Sequence, residues 1–129
     1  MSLENPQILY VGGDELSENV KAAVLHEGTI YRATTLSSAL GYFAACYPDV
    51  VILDSKVEPR LSASVCYQIM TLDAPDSVPI FILDDLPERW LLTSPTTRVL
   101  ADKATLLNEL QKAFIPEVTQ WQPDILSSR

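Results

Sequence analysis

The chain has 129 residues, of which 47% are hydrophobic and 20% are charged. This composition is typical of a single globular domain and excludes an intrinsically disordered chain. Nine Lys and Arg against 17 Asp and Glu give a net charge of −8. A charge of this sign argues against non-specific binding to nucleic acid and against binding to anionic membrane surfaces.

Cysteine and histidine are scarce, which argues against disulfide-rich and metal-binding proteins. Cys46, Cys66 and the single histidine, His26, exclude a disulfide-rich scaffold and lack the spacing of metal ligands. Both cysteines lie among apolar residues, so we expect buried free thiols. No apolar run approaches the roughly 18 residues of a membrane span, and residues 1–7 are too polar for a signal peptide. We therefore expect a soluble, cytoplasmic protein.

Short apolar runs alternate with segments of helical periodicity along the whole chain. Strands are predicted at residues 7–11, 29–33, 49–53, 79–83 and 98–101, and helices at residues 14–26, 35–47, 61–72 and 104–114. Residues 86–93 predict a weak, short helix between the last two strands. Residues 117–129 show no clear period, so we divide the chain into a domain over residues 1–116 and a C-terminal tail over residues 117–129.

This alternation predicts a doubly wound α/β fold. The runs VVIL and PIFIL in the third and fourth strands are typical of strands that are buried on both faces. Five repeats of strand and helix with short connections favour a parallel sheet with helices on both faces. A site in such a sheet lies at the carboxyl ends of the strands. Gly12, Gly13, Asp54 and Asp84 stand at three of these ends, and Lys103 follows the fifth strand.

Two segments carry a resemblance to a known family. Residues 48–59 (PDVVILDSKVEP) resemble the third strand and phosphoacceptor loop of response-regulator receiver domains. Residues 99–110 (VLADKATLLNEL) resemble the family's fifth strand, its lysine and its last helix. The resemblance covers about residues 7–115. It implies a flavodoxin-like, CheY-like fold with strand order 2-1-3-4-5, Asp54 at the phosphorylated aspartate and Lys103 at the lysine. It also implies a non-enzymatic role in two-component or phosphorelay signalling.

The first strand of this chain departs from the family pattern. Receiver domains end that strand with two acidic residues that hold a magnesium ion, whereas this chain has Gly12 and Gly13. Asp14 comes one residue later, where we expect it to cap the following helix. We therefore expect no metal and no cofactor, with Mg²⁺ required only if Asp54 is phosphorylated after all.

Two further positions differ from the family. Asp84 stands where receiver domains have a Ser or Thr that binds the phosphoryl group, and Leu100 stands where they often have an aromatic switch residue. Two unit charges about 4 Å apart repel by about 4 kcal/mol at an effective dielectric constant near 20, so a carboxylate at 84 opposes a phosphoryl group. We expect Asp54, Asp84 and Lys103 to converge, with the Lys103 ammonium paired to at least one of the two carboxylates.

Three interpretations follow. The first is a degenerate pseudo-receiver that acts by phosphorylation-independent protein–protein interaction through residues 86–114, with a histidine kinase, an effector or a second copy as partner. Trp90 and Leu100 lie in that interaction face, although packing in the core is the alternative for Trp90. The second is a divergent receiver that accepts phosphate on Asp54. The third, favoured only by the glycine pair and the topology, is a flavodoxin-like domain that binds a small molecule or nucleotide.

Overall fold

The described residues form a five-stranded parallel sheet flanked by four helices. The computed structural model describes residues 6–23, 28–72, 78–86, 90 and 97–114. The elements in chain order are β1 (Gln7–Val11), α1 (Asp14–Ala23), β2 (Thr29–Arg32), α2 (Leu36–Cys46), β3 (Val50–Asp54), α3 (Pro59–Leu72), β4 (Ile80–Leu83), β5 (Thr97–Leu100) and α4 (Lys103–Phe114). The sheet order is β2-β1-β3-β4-β5, with every neighbouring pair parallel. The predicted doubly wound fold and its strand order are confirmed.

The side chains of each strand point alternately to the two faces of the sheet and so divide the hydrophobic core into two layers. Successive side chains of a strand point to opposite faces, so Ile8 and Tyr10 face one layer while Leu9 and Val11 face the other. The first layer packs against α1 and α4, and the second packs against α2 and α3. All five residues of β3 are buried, as the VVIL run predicts for a strand covered on both faces.

Helix boundaries differ from the prediction by one or two residues for local reasons. Residues 35 and 47 flank α2 as its caps. The hydroxyl of Thr35 accepts a 3.0 Å hydrogen bond from the Ser38 amide, and the Ser38 hydroxyl accepts one of 3.2 Å from the Thr35 amide. Tyr47 ends the helix in a left-handed conformation, with φ of 50°. Pro59 opens α3 two residues earlier than predicted, because proline suits the first turn of a helix.

Several sequence predictions need adjustment or lie outside the described residues. The strands are shifted slightly: β2 ends at residue 32, β4 begins at residue 80, and β5 spans 97–100. Of the predicted helix over residues 86–93, Leu86 and Trp90 are described and neither is helical. The end of the first predicted helix, His26 and the tail over residues 117–129 lie outside the described part. Both cysteines are free, but only Cys66 is buried, whereas Cys46 is half-buried because it lies in the last turn of α2.

The described helices are shorter or more polar than a membrane span requires. In the part of the chain that the structure describes, no helix is both long and apolar enough to cross a bilayer.

Candidate functional site

Three strands end side by side at one edge of the sheet. Leu53 pairs with Val11 of β1, and Asp54 pairs with Leu83 of β4. Because the strands are parallel, their carboxyl ends meet at the same edge. This edge places the residues that follow β1, the last residue of β3 and the first residue after β4 next to one another.

Asp54, the last residue of β3, is buried with 4% of its surface exposed. Its Oδ1 atom accepts a 3.1 Å hydrogen bond from the amide of Lys56. Its main-chain carbonyl accepts from the amides of Val57 and Glu58, which holds the loop after β3 in a tight turn. Burial raises the pKa of Asp54, because desolvation outweighs the nearby amides and cations that favour the charged form.

Tyr10 fills the space at the end of β1. It is fully buried, and its hydroxyl donates a 2.6 Å hydrogen bond to the carbonyl oxygen of Gly13. A Cβ added at Gly12 would lie 2.5 Å from the Tyr10 hydroxyl oxygen and 2.7 Å from the Cβ atom of Asp54. Any side chain at position 12 would clash with these two atoms, so the position requires glycine. Burial and the neighbouring Asp54 carboxylate raise the pKa of Tyr10, so its hydroxyl stays protonated. The sequence pattern places Tyr10 in a strand and gives no signal for this role.

Asp14 does not take the capping position expected from the sequence. It is the first residue of α1, and its carboxylate pairs with the guanidinium of Arg32 in β2. The carbonyl of Gly13 accepts a 3.3 Å hydrogen bond from the Ser17 amide and so closes the first turn. The expectation fails because the helix already starts at residue 14 and leaves the carboxylate free to reach the edge strand.

Lys103, the first residue of α4, pairs with a different carboxylate from the two that were expected. Its ammonium lies 3.0 Å from Glu15 of α1 and makes no ion pair with Asp54 or Asp84. The Glu15 pair is solvent-exposed, whereas a pair with either buried aspartate would require the ammonium to lose its hydration. Lys103 nevertheless lowers the pKa of Asp54 through space, against the larger effect of burial. The predicted ion pair with Asp54 or Asp84 is therefore wrong, and the structure shows only the through-space effect of Lys103 on Asp54.

Asp84 accepts hydrogen bonds on both of its carboxylate oxygens. Oδ2 accepts from the Ser55 hydroxyl at 3.2 Å and from the Trp90 indole nitrogen at 2.8 Å, and Oδ1 accepts from the Leu86 amide at 3.0 Å. Only 4% of Asp84 is exposed. Three donors thus stabilise a buried carboxylate at the position where receiver domains have a hydroxyl.

Trp90 and Leu100, both predicted to lie in the interaction face, are half-buried. Trp90 packs against the core layer beneath α2 and α3, and its ring nitrogen is turned to Asp84. Leu100 packs against the opposite layer, beneath α1 and α4. Packing therefore accounts for part of each side chain, while the role of the face in binding stays a prediction.

A cavity of about 280 Å³ opens beside Asp84. Its lining consists of residues from the ends of β3 and β4 and the first residue of α3: Ser55, Lys56, Pro59, Asp84, Asp85 and Leu86. Lys56 and Asp85 form an ion pair of 2.9 Å in this lining.

The residues at this edge do not fit the magnesium ion that receiver domains hold. Gly12 and Gly13 offer no side-chain ligand, and the nearby carboxylates of Asp14 and Glu15 are engaged by basic side chains. Mg²⁺ requires near-octahedral oxygen coordination, and the residues that follow β1 add no unpaired carboxylate to Asp54. Over the described residues, no group of three or more His, Cys, Asp or Glu side chains is arranged to hold a metal.

Comparison with known proteins identifies the fold. No family model and no curated protein matches the sequence. Among solved structures, the chemotaxis response regulator CheY4 of Vibrio cholerae superposes with a TM-score of 0.62 at 18% identity, over 84% of this chain and 98% of that one. The receiver domain of a LuxO repressor protein from Vibrio parahaemolyticus gives 0.56 at 20% identity, over 90% and 98%. The response regulator PhyR from Brucella abortus gives 0.59 at 17% identity, over 92% of this chain and 53% of PhyR. The chain therefore has the fold of response-regulator receiver domains.

Proposed function

We propose that this chain is a receiver-like signalling domain that binds a protein partner without being phosphorylated. The observation that carries the proposal is that residues with structural roles occupy the positions whose side chains carry out phosphorylation in receiver domains. Gly12 and Gly13 stand where receiver domains have metal ligands, and the buried Tyr10 ring packs against Gly12. Asp84, held by three donors, stands where they have a phosphoryl-binding hydroxyl.

Electrostatics supports this proposal. Phosphoryl transfer to Asp54 requires the negative charge on the transferring oxygens to be neutralised, and a magnesium ion bound beside them usually does this. Asp84 instead brings a second carboxylate to the same edge, and the Lys103 ammonium is paired with Glu15. A phosphoryl group on Asp54 would therefore meet a negative charge with no metal between them.

The coupling from the site to the rest of the domain is also altered. In receiver domains a hydroxyl moves toward the phosphoryl group and an aromatic side chain changes its rotamer. Here Asp84 is held by three donors, and Leu100 takes the aromatic position. A phosphoryl group would have no two-state element to bias, and a change without differential contacts is not explained.

We further propose that the domain works as a fixed binding module in two-component or phosphorelay signalling in the cytoplasm, without enzymatic activity or cofactor. Its partner is a histidine kinase, an effector or another copy of the chain. The net charge of −8 favours partners with basic or apolar surfaces. Residues 86–114, with Trp90 and Leu100, remain the expected contact face for an effector.

One observation favours the second candidate function, a divergent receiver phosphorylated on Asp54. Asp54 ends β3 at the edge of the sheet, and Lys103 is close enough to lower its pKa. The third candidate, a nucleotide- or small-molecule-binding domain, lost its main support when Gly12 was explained by the close approach of Tyr10.

A thermal-shift titration with Mg²⁺ and beryllofluoride, repeated with acetyl phosphate, separates the first two candidates. A ligand that binds only the folded state at ten times its Kd would stabilise it by about 1.4 kcal/mol. We expect the added ligands to leave the Tm of the wild-type chain unchanged and to leave the Tm of Asp54→Asn unchanged as well. A rise of several degrees in the wild type that is absent in Asp54→Asn would contradict the proposal and favour the phosphorylated receiver.

A further inference from the structure

The two helices on one face of the sheet are almost free of charge. α2 has the sequence LSSALGYFAAC, and residues 61–72 of α3 read LSASVCYQIMTL. Neither stretch contains Asp, Glu, Lys or Arg, although charged residues make up 20% of the chain. The two helices on the opposite face differ sharply, since α1 contains three acidic residues and a lysine, and α4 contains two lysines and a glutamate.

This uncharged surface is exposed. Tyr67 of α3 has 60% of its surface exposed, and Tyr42 of α2 has 36%. Tyr47, which follows α2 directly, is 81% exposed. Ala45 and Ala63 are also exposed on these helices. Exposed helix faces usually carry charges, whereas tyrosine is enriched and charge is depleted at the centres of protein interfaces. We call the exposed surface of α2 and of residues 61–72 of α3 the α2–α3 face.

We propose that the α2–α3 face is the contact surface between two copies of this chain. The distribution of charge over the domain supports this proposal. Each copy carries a net charge of −8, so two copies repel wherever acidic surfaces meet. A two-fold contact through the α2–α3 face brings no charged residue of that face into the contact, because Arg60, the only charged residue of α3, lies in its first turn outside the face. The contact leaves α1 and α4 on the outer sides of the pair.

A strongly charged partner fits this face less well. Its charges would lose hydration against a surface that offers no opposite charge in return, and such burial is costly. A second copy offers the same uncharged surface and satisfies the self-complementarity that a two-fold interface needs. This inference goes beyond the proposed function and does not depend on whether Asp54 is phosphorylated.

The size of the face sets the expected strength of the dimer. At 1.5 Å per residue, the 11 residues of α2 and residues 61–72 of α3 span about 16 and 18 Å. With a width of about 10 Å per helix, the two lie over about 350 Å² in outline, which is below the roughly 800 Å² per partner of a standard specific interface. We therefore expect a weak dimer that forms in the range of about 10 μM to 1 mM.

Sedimentation velocity of the full chain over that concentration range tests the proposal. A reductant is included so that a disulfide through the half-buried Cys46 does not mimic association. The informative variant is Ala45→Lys, and Ala22→Lys is its matched control. Both alanines are exposed and both are the penultimate residue of their helix, but Ala22 lies on α1. Thermal unfolding of both variants checks that each is folded.

We expect Ala45→Lys to raise the dimer Kd about tenfold or more, because it places a charge in the uncharged contact. Ala22→Lys should leave the Kd unchanged or lower it slightly, since it reduces the net charge. Added NaCl should strengthen the wild-type dimer by screening the repulsion between acidic copies. A wild-type chain that stays monomeric at the highest concentration overturns the proposal, even if another protein binds the face. A dimer that Ala22→Lys weakens as much as Ala45→Lys, or one that salt dissociates, overturns it too.

Discussion

The indole N–H of Trp90 donates a 2.8 Å hydrogen bond to the buried carboxylate of Asp84. This bond joins the residue that replaces the receiver hydroxyl to a side chain that packs on the core beneath α2 and α3. The Ser55 hydroxyl donates to the same carboxylate oxygen from the end of β3. Asp84 therefore acts as a structural acceptor that ties together the segments following two neighbouring strands.

Trp90→Phe should destabilise the fold because it removes the N–H donor while leaving an aromatic ring to pack. Hydrogen bonds to charged groups contribute about 1.5–3 kcal/mol, and we expect a loss of that size in the free energy of unfolding measured with urea. The same substitution in an Asp84→Ala background should cost much less, because the acceptor is already absent. Equal costs in the two backgrounds would show that the bond contributes nothing to stability.

Gly12→Ala should destabilise the domain, because the added methyl group meets the Tyr10 hydroxyl and the Asp54 Cβ atom at contact distances no side chain tolerates. Overpacking of this kind costs about 1–3 kcal/mol. Gly13→Ala is the matched control. Its Cβ would meet nothing nearer than Val57, at 3.9 Å, which is an ordinary contact. Thermal unfolding should therefore separate the neighbouring substitutions, and equal values of Tm would disprove the steric role of Gly12.

The fold could be predicted from the sequence, whereas the contacts of the site residues could not. The VVIL and PIFIL runs and the helical spacing between them reflect burial, which is a local property of each segment, so strand order and layers could be inferred. The ion-pair partner of Lys103 and the proximity of Tyr10 to Asp54 depend on distances between elements that are far apart in the chain. Glu15, 88 residues before Lys103, competes with Asp54 for the ammonium and succeeds because both groups stay in water.

The uncharged α2–α3 face could not be predicted as one surface from the sequence. The absence of charge in α2 and in most of α3 is visible in the sequence, but it gives no sign that the two stretches form one surface, and the contact face predicted from the sequence spans residues 86–114. The two stretches are separated by β3 and become one face only when the sheet places their helices side by side.

Lys103→Met should change stability by less than about 1 kcal/mol, because its ion pair with Glu15 is exposed to solvent. The informative measurement is the pKa of Asp54, followed by NMR of its carboxyl carbon. Since Lys103 favours the charged form of Asp54 through space, its removal should raise that pKa further above the ordinary value. Lys112→Met at the far end of α4 is the control and should leave the pKa unchanged. A large loss of stability in Lys103→Met would instead indicate a buried pair with one of the aspartates.

Asp54→Asn should stabilise the domain at neutral pH. Burial raises the pKa of Asp54 in the folded state, so the folded state holds the Asp54 proton more tightly than the unfolded state does. The favourable contribution is complete below the unfolded pKa and is lost as the pH rises through the folded pKa, above which the buried charge opposes folding. The neutral amide avoids that cost, and we expect Tm to rise by a few degrees at pH 7, as for about 1 kcal/mol in a domain of this size. The difference in Tm between Asp54→Asn and the wild type should shrink as the pH falls toward the ordinary aspartate pKa, where the wild-type carboxyl also becomes neutral.

Glu18→Gln, which removes an equal charge from the surface of α1, controls for net charge and should show a smaller gain in Tm. A lower Tm for Asp54→Asn at pH 7 would mean that the ionised carboxylate is stabilised by its surroundings and would contradict this prediction.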